Sequence, residues 1–478
     1  MRLLRALNKL KASHLISFHM PGHKNGRLLF HGMEPLLAYD ITEIPGADHL
    51  HDAQTCILET EIALAETYGA KRSRILVGGS TVGILSMILG TTEPGDVILM
   101  NRNAHKSVYN AIEMNGLNPI YLFPEMDDYL GIPTDLNATR FNAAHLKEKI
   151  KDVKICILTY PTYEGLCYSI KDVIDQCHAL NIPVLVDEAH GAHLFLHEKG
   201  PKSALECGAD LVVQSFHKTL PAMTQTAGLH IAKHTMLTEM QISRVDWYLK
   251  SLQSSSPSYL LMASVDHMLE VIDVYGKQLT KVLEQQIEIF YKSVAALKCI
   301  GTHRFGTMDI SKIILTINKN YYKPGILDGY TLSKRLRSDY CIQSEYDSNT
   351  IVLLMTSFCN DASDFDALKI ALIELDAIFM SEWDRLNLNK TDAISDESTH
   401  YEAIYRSIAA DDTYKLCSRD AMRCPNHLVE VASSIGSVSA EYVIPYPPGI
   451  PILVPGERIH LETVELFPAE KTHILVLK

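Results

Sequence analysis

Between about Leu50 and Leu229 the sequence alternates short apolar runs with stretches of helical spacing, and that alternation restricts the fold more than any other feature. Runs of strand length stand at Ser73–Val77, Asp96–Met100, Asn118–Phe123, Lys154–Thr159, Pro183–Val186 and Leu211–Gln214. Helical spacing fills intervals at Gln54–Tyr68, Thr81–Leu89, His105–Asn115 and Ile170–Leu180. Strands joined by helices of this length form βαβ units, so the class is α/β with a mostly parallel sheet covered on both faces. Ligands of such sheets sit beyond the carboxyl ends of the strands. Three polar clusters fall there: Tyr160–Gly165, Asp187–His190 and Ser215–Lys218.

With 478 residues the chain exceeds a single core and needs two or three domains. The expected division is an N-terminal segment over 1–45, a large domain over 46–290, a smaller α+β domain over 291–390 and a C-terminal domain over 391–478. A helical pattern from about Val265 to Lys298 reads as a link between the large and the small domain. Residues 381–400 are polar and read as a linker. The tail contains YVIPYPPGIPILVPGE, whose five prolines exclude helix and central strand. The basic, amphipathic start, MRLLRALNKLKASHLISF, has no continuous apolar core or cleavage site; it reads as a first packed helix rather than a signal peptide. No run of 18 apolar residues occurs, so no membrane span is expected. Ten cysteines stand without framework spacing, as reduced thiols of a cytoplasmic protein do. The net charge of −13 argues against a nucleic-acid partner; it serves solubility and attracts cationic small molecules.

Four clusters carry chemistry. Gly78-Gly79-Ser80-Thr81-Val82-Gly83 precedes an apolar helix, and its glycines, hydroxyls and helix N-terminus make a phosphate cup. The same string serves equally as a Ser/Thr cap with glycines for the turn. It is not a Walker loop, so the D-E-A-H string at Asp187–His190 does not indicate a helicase. Asp187 ends a buried strand, where a carboxylate needs a cationic partner such as a protonated pyridine nitrogen. Lys218 follows another apolar strand beside His217; partial desolvation there makes its amine a nucleophile toward an aldehyde. Its plain alternative is a surface lysine closing a strand. His105, in Asn101–Ser107, either stacks on an aromatic ring or caps a helix. His190, His193 and His197 match no standard zinc spacing, and no metal is expected.

In this order the clusters, together with FHMPGHKNG at Phe18–Gly26, DITEIPGADHLH, PTYEG, SFHKTLPAMTQ, SSSPSY and the proline-rich tail, resemble the Orn/Lys/Arg decarboxylase family. The similarity is to its shorter arginine or lysine decarboxylase-like members and covers nearly the whole chain. It implies the aspartate-aminotransferase-like architecture (fold type I) of enzymes that use pyridoxal 5′-phosphate (PLP), plus a small α+β domain and a C-terminal decarboxylase-type domain. It further implies that Lys218 carries the cofactor as a Schiff base, Asp187 pairs with the ring nitrogen and His105 stacks on the ring. Ser80, Thr81, Ser215 and His217 would hold the phosphate. His190 and Thr162 would lie near the ring, with His190 also near the substrate. Lys218 or His217 would return a proton to the substrate. Ser255 would reach the phosphate of a neighbouring subunit, since sites of this fold lie at the interface of a homodimer or larger homo-oligomer. Glu345 would meet the far end of a basic amino acid, arginine, lysine or ornithine, whose decarboxylation gives a polyamine-pathway amine. The chain departs from the family at Ala47-Asp48-His49-Leu50-His51, where relatives often read L-D-D-L-H.

Three readings compete. An aminotransferase of the same fold needs an arginine on the α-carboxylate, and Arg335 and Arg337 are available. A PLP-binding regulator without turnover would not need Lys218, Asp187 and His105 together. A metal hydrolase would use His190, His193 and His197.

Overall fold

The computed structural model describes residues 2–13, 20–21, 23–24, 34–136, 150–386, 417–446, 448–468 and 470–478. Most of the FHMPGHKNG motif lies outside them. Helix α1 (Leu3–Ala12) buries Leu3, Ala6 and Leu7, and Arg2 pairs with Asp266 at 2.9 Å. This is the first packed helix that the amphipathic start implied.

The large domain is built on a seven-stranded sheet. In chain order its strands are β1 (Arg72–Leu76), β2 (Val97–Asn101), β3 (Asn118–Leu122), β4 (Val153–Thr159), β5 (Val184–Asp187), β6 (Leu211–Ser215) and β7 (Ala227–Ile231). The spatial order is β1-β7-β6-β5-β4-β2-β3. Only β7 is antiparallel to its neighbours, β1 and β6. The carboxyl ends of the other strands therefore share one edge. Side chains alternate between two cores: Leu185 enters one layer, Val184 and Val186 the other. Helix α2 (Cys56–Tyr68) leads into β1, and α3 (Gly79–Thr91), α4 (Lys106–Asn115) and α5 (Ile170–Ala179) connect the strands. Helix α6 (Phe216–Thr219) is a single turn after β6, and α7 (Glu239–Leu252) packs on α3. Gly90 permits that packing, because a Cβ there would lie 2.6 Å from the Val245 backbone nitrogen.

The long helical pattern after Val265 is broken. Helix α8 (Tyr259–Val271) passes through a π turn at Ile272–Gly276 into α9 (Lys277–Val294). The small domain follows, a four-stranded sheet in the order β8-β9-β11-β10, with β8 (Ile300–His303), β9 (Lys312–Ile317), β10 (Tyr346–Asp347) and β11 (Ile351–Met355). It carries α10 (Gly329–Tyr340) and α11 (Ala362–Arg385). The polar stretch expected as linker from 381 begins later, because α11 runs to Arg385 and buries Trp383; residues 387–400 lie outside the described residues. The C-terminal region contains a two-stranded ribbon, β12 (Asn426–Glu430) and β13 (His473–Leu477). No helix among the described residues is long and apolar enough to cross a membrane.

Candidate active site

Five strand ends supply the site. After β5, Asp187 is buried and its carboxylate accepts one N–H, from Ala189 at 3.1 Å. Burial pushes its pKa up, against the opposing pull of Lys218. After β6, Ser215 is buried with an unpartnered hydroxyl. The α6 turn then aims Lys218 across to His190, Nζ to Nε2 at 3.0 Å. Burial pulls the Lys218 ammonium down, while Asp187 and Glu345 oppose it.

After β1, α3 begins at Gly79, whose φ of +73° needs glycine and whose Cα faces open space. Ser80 and Thr81 lie in the first turn, where the helix has amides without intrahelical acceptors. After β2, His105 caps α4, its Nδ1 accepting from the Ser107 hydroxyl at 2.8 Å and the Ser107 amide at 3.3 Å. The capping reading of His105 is the one its contacts show, and the cations that act on its ring are Lys218 and Lys106. Burial and then the Lys218 charge lower its pKa to about 4, so the ring is neutral near pH 7.

Residues that sequence reasoning missed close the site, most of them from the other domains. Lys312, the first residue of β9, is fully buried with Nζ 3.0 Å from Nδ1 of His190. Its only sequence signal is a lysine opening the apolar run SKIILTI. Burial lowers its pKa to about 8 against the opposing Asp309 carboxylate. Tyr163, in the turn after β4, donates to Glu345 at 2.8 Å, and its ring lies 4.9 Å from that of His190. From the C-terminal region, the Gly449 carbonyl accepts from Lys106, and a Cβ at Gly449 would lie 3.1 Å from the His105 ring.

Some expected residues lie nearby but are engaged elsewhere. Thr162 uses its hydroxyl to accept from Leu166 N–H, closing the PTYEG turn. His217 bonds the Thr226 carbonyl at 2.9 Å. Ser255 is exposed in the loop between α7 and α8. The three histidines of the possible metal cluster diverge to different partners: His190 lies between two lysines, His193 meets Asp309 and His197 meets Glu284. Among the described residues no group of three or more ligating side chains converges. Arg335 pairs with Glu382 inside the small domain, and Arg337 is exposed. At the family departure, Asp48 accepts backbone N–H groups of His49, Gln54, Thr55 and Ile57, so this acid organises the start of α2.

The donor set fits PLP. Ser215 Oγ is a buried donor with nothing to bond, beside an open glycine turn at a helix start that suits a phosphate. Asp187 is a buried carboxylate with a single N–H partner, suited to a protonated ring nitrogen. Lys218 is a desolvated amine under the influence of the Asp187 carboxylate.

The family described as Orn/Lys/Arg decarboxylase matches with its major domain over residues 2–356 and with its C-terminal domain over 399–469. The chain is 35% identical over 474 residues to YaaO of Bacillus subtilis, an uncharacterized protein, covering 96% of this chain and 92% of that one. It is 32% identical over 461 residues to an arginine decarboxylase of Halalkalibacterium halodurans, covering 93% and 88%. Lysine decarboxylase A of Pseudomonas aeruginosa superimposes with a TM-score of 0.81 at 20% identity, over 100% of this chain and 80% of that one. This last likeness shows the fold, and it is the fold-type I architecture expected from the sequence.

Proposed function

The chain belongs to the Orn/Lys/Arg decarboxylase family, and from that premise we propose that it removes the α-carboxylate of L-arginine as CO₂, using PLP held between Lys218 and Asp187. One observation carries this reading: an amine, a sparsely bonded buried carboxylate and an unpartnered hydroxyl converge on one sheet edge. The 32% identity to that arginine decarboxylase, against 24% over 552 residues to the lysine decarboxylase LdcA of Pseudomonas aeruginosa, supports arginine.

Bound there, PLP supplies an aldehyde for an amine and a ring that accepts the electron pair released with CO₂. Lys218 is the anchoring amine, made nucleophilic by burial. Ser215, Ser80, Thr81 and His217 hold the phosphate, with the first-turn amides of α3. Asp187 holds the proton on the ring nitrogen. His105 offers a neutral, flat face, and the buried wall of His190 and Lys312 excludes water. Glu345, oriented by Tyr163, receives the distal cation of the substrate. Lys218 Nζ then returns a proton to Cα, with His217 as the second candidate donor. Ser255 extends to the phosphate of a second copy in a homodimer.

The test supplies the purified chain and PLP with arginine, lysine and ornithine in turn, and measures CO₂ and the amine formed. CO₂ from arginine is expected. Release from lysine or ornithine alone overturns arginine as substrate, and release from none overturns decarboxylation by this chain.

A further inference from the structure

His190 is held between two lysines, with Lys218 Nζ 3.0 Å from Nε2 and Lys312 Nζ 3.0 Å from Nδ1. A neutral imidazole has one N–H and one lone pair, whereas an ammonium only donates. Two ammoniums cannot both bond a neutral imidazole. An imidazolium there would be buried beside two further cations, and burial followed by the charges of Lys218 and Lys312 holds His190 well below its ordinary range. His190 is therefore neutral, and at most one of the two lysines is charged.

The surroundings decide which. Lys312 is fully buried on β9 and faces His190, Lys218, Asp309, Glu345, Glu164 and the Tyr163 ring. Of these anions Asp309 is the most firmly ionised. It bonds His193 at 2.8 Å and the Ser311 amide at 2.9 Å, and it is held well below the usual carboxylate range despite burial. Lys218 faces Asp187, whose carboxyl burial pushes the other way, and shares Glu345 with Lys312, so Asp309 is the anion that distinguishes the two lysines. The fixed negative charge lies on the Lys312 side. His105 and His193 also face His190, and their charges would only add to its neutrality.

We propose that Lys312 is a positioning residue: as an ammonium it donates to Nδ1 of His190, fixes the imidazole proton on Nε2, and so holds Lys218 as the neutral amine that accepts from Nε2. The small domain thereby sets the protonation state of an amine on the large domain. A neutral Lys218 is ready to condense with an aldehyde, with no proton to lose first. This inference rests on Lys218 being the reactive amine of the proposed function.

The test is competitive acetylation of the full chain without cofactor across pH 6 to 10, with each lysine quantified by peptide mass spectrometry. In the wild-type chain the labelling midpoint of Lys218 should lie below that of Lys312. In Lys312→Met, which keeps the volume and removes the charge, the Lys218 midpoint should rise by about one pH unit or more, about a tenfold loss of labelling near pH 7. An unchanged Lys218 midpoint in a folded Lys312→Met protein overturns the proposal, because a merely structural role would leave it there. If that variant does not fold, the wild-type order decides, and a Lys312 midpoint below that of Lys218 overturns it. No substrate is used, so failure here is distinguishable from failure of the decarboxylation assay.

Discussion

Buried histidines set how single residues couple this protein to pH. His105 and His230 are neutral in the fold, with burial the leading cause; their pKa values fall to about 4 and about 3. In the unfolded chain each takes a proton near the ordinary value, about 6.5. As pH drops below that value the unfolded state binds more protons than the folded one, so stability falls. At pH 5 each histidine should cost about 2 kcal/mol relative to pH 7.5, at about 1.4 kcal/mol per unit of separation. Urea unfolding at the two pH values checks this, and equal midpoints would contradict it. The same scale shows what the sequence discloses. Lys218 and Asp187 stood out because each ends an apolar strand in a polar cluster. Lys312 did not, because its meaning depends on His190, 122 positions away, and a lysine opening a strand carries no sign that it will be fully buried.

Among elements, the loop after β2 shows the same division. In its Asn-Arg-Asn-Ala-His string, His105 was readable as a residue that stacks on a ring or caps a helix. The role of Arg102 was not, since its partner is Glu457 in the C-terminal region, 355 positions on. Arg102 is fully buried, bonds Glu457 through two nitrogens at 3.1 and 2.9 Å, and donates to the Pro451 carbonyl at 2.7 Å. The clamp ties the proline-rich segment against the loop that carries His105. Glu457→Ala leaves that guanidinium buried without its anion, and such a broken pair costs about 3–5 kcal/mol. Denaturant unfolding of the variant measures the loss; an unchanged midpoint would show that the clamp contributes nothing. Strand β7 was also unreadable as a strand. Gly228 and His230 spoil its apolar pattern, yet both are buried, Gly228 against Phe216 and His230 between Tyr68 and Ser73. Tertiary packing overrode local propensity there.

The whole molecule assembles its site from three regions. The sheet edge brings Lys218, Asp187, Ser215, His105 and the α3 N-terminus; the small domain brings Lys312, Asp309 and Glu345; the C-terminal segment lies over His105. The alternation of strands and helices made the first contribution readable. The other two depend on how separate bodies pack, which no local pattern encodes. The net charge of −13 suits a site that receives a cationic amino acid. This convergence leaves two lysines within reach of one histidine, and in the proposed function the cofactor is carried by Lys218. Borohydride reduction of the PLP-loaded protein, followed by peptide mapping, decides the matter: the phosphopyridoxyl group should be found on Lys218, and finding it on Lys312 or on no lysine would contradict the account.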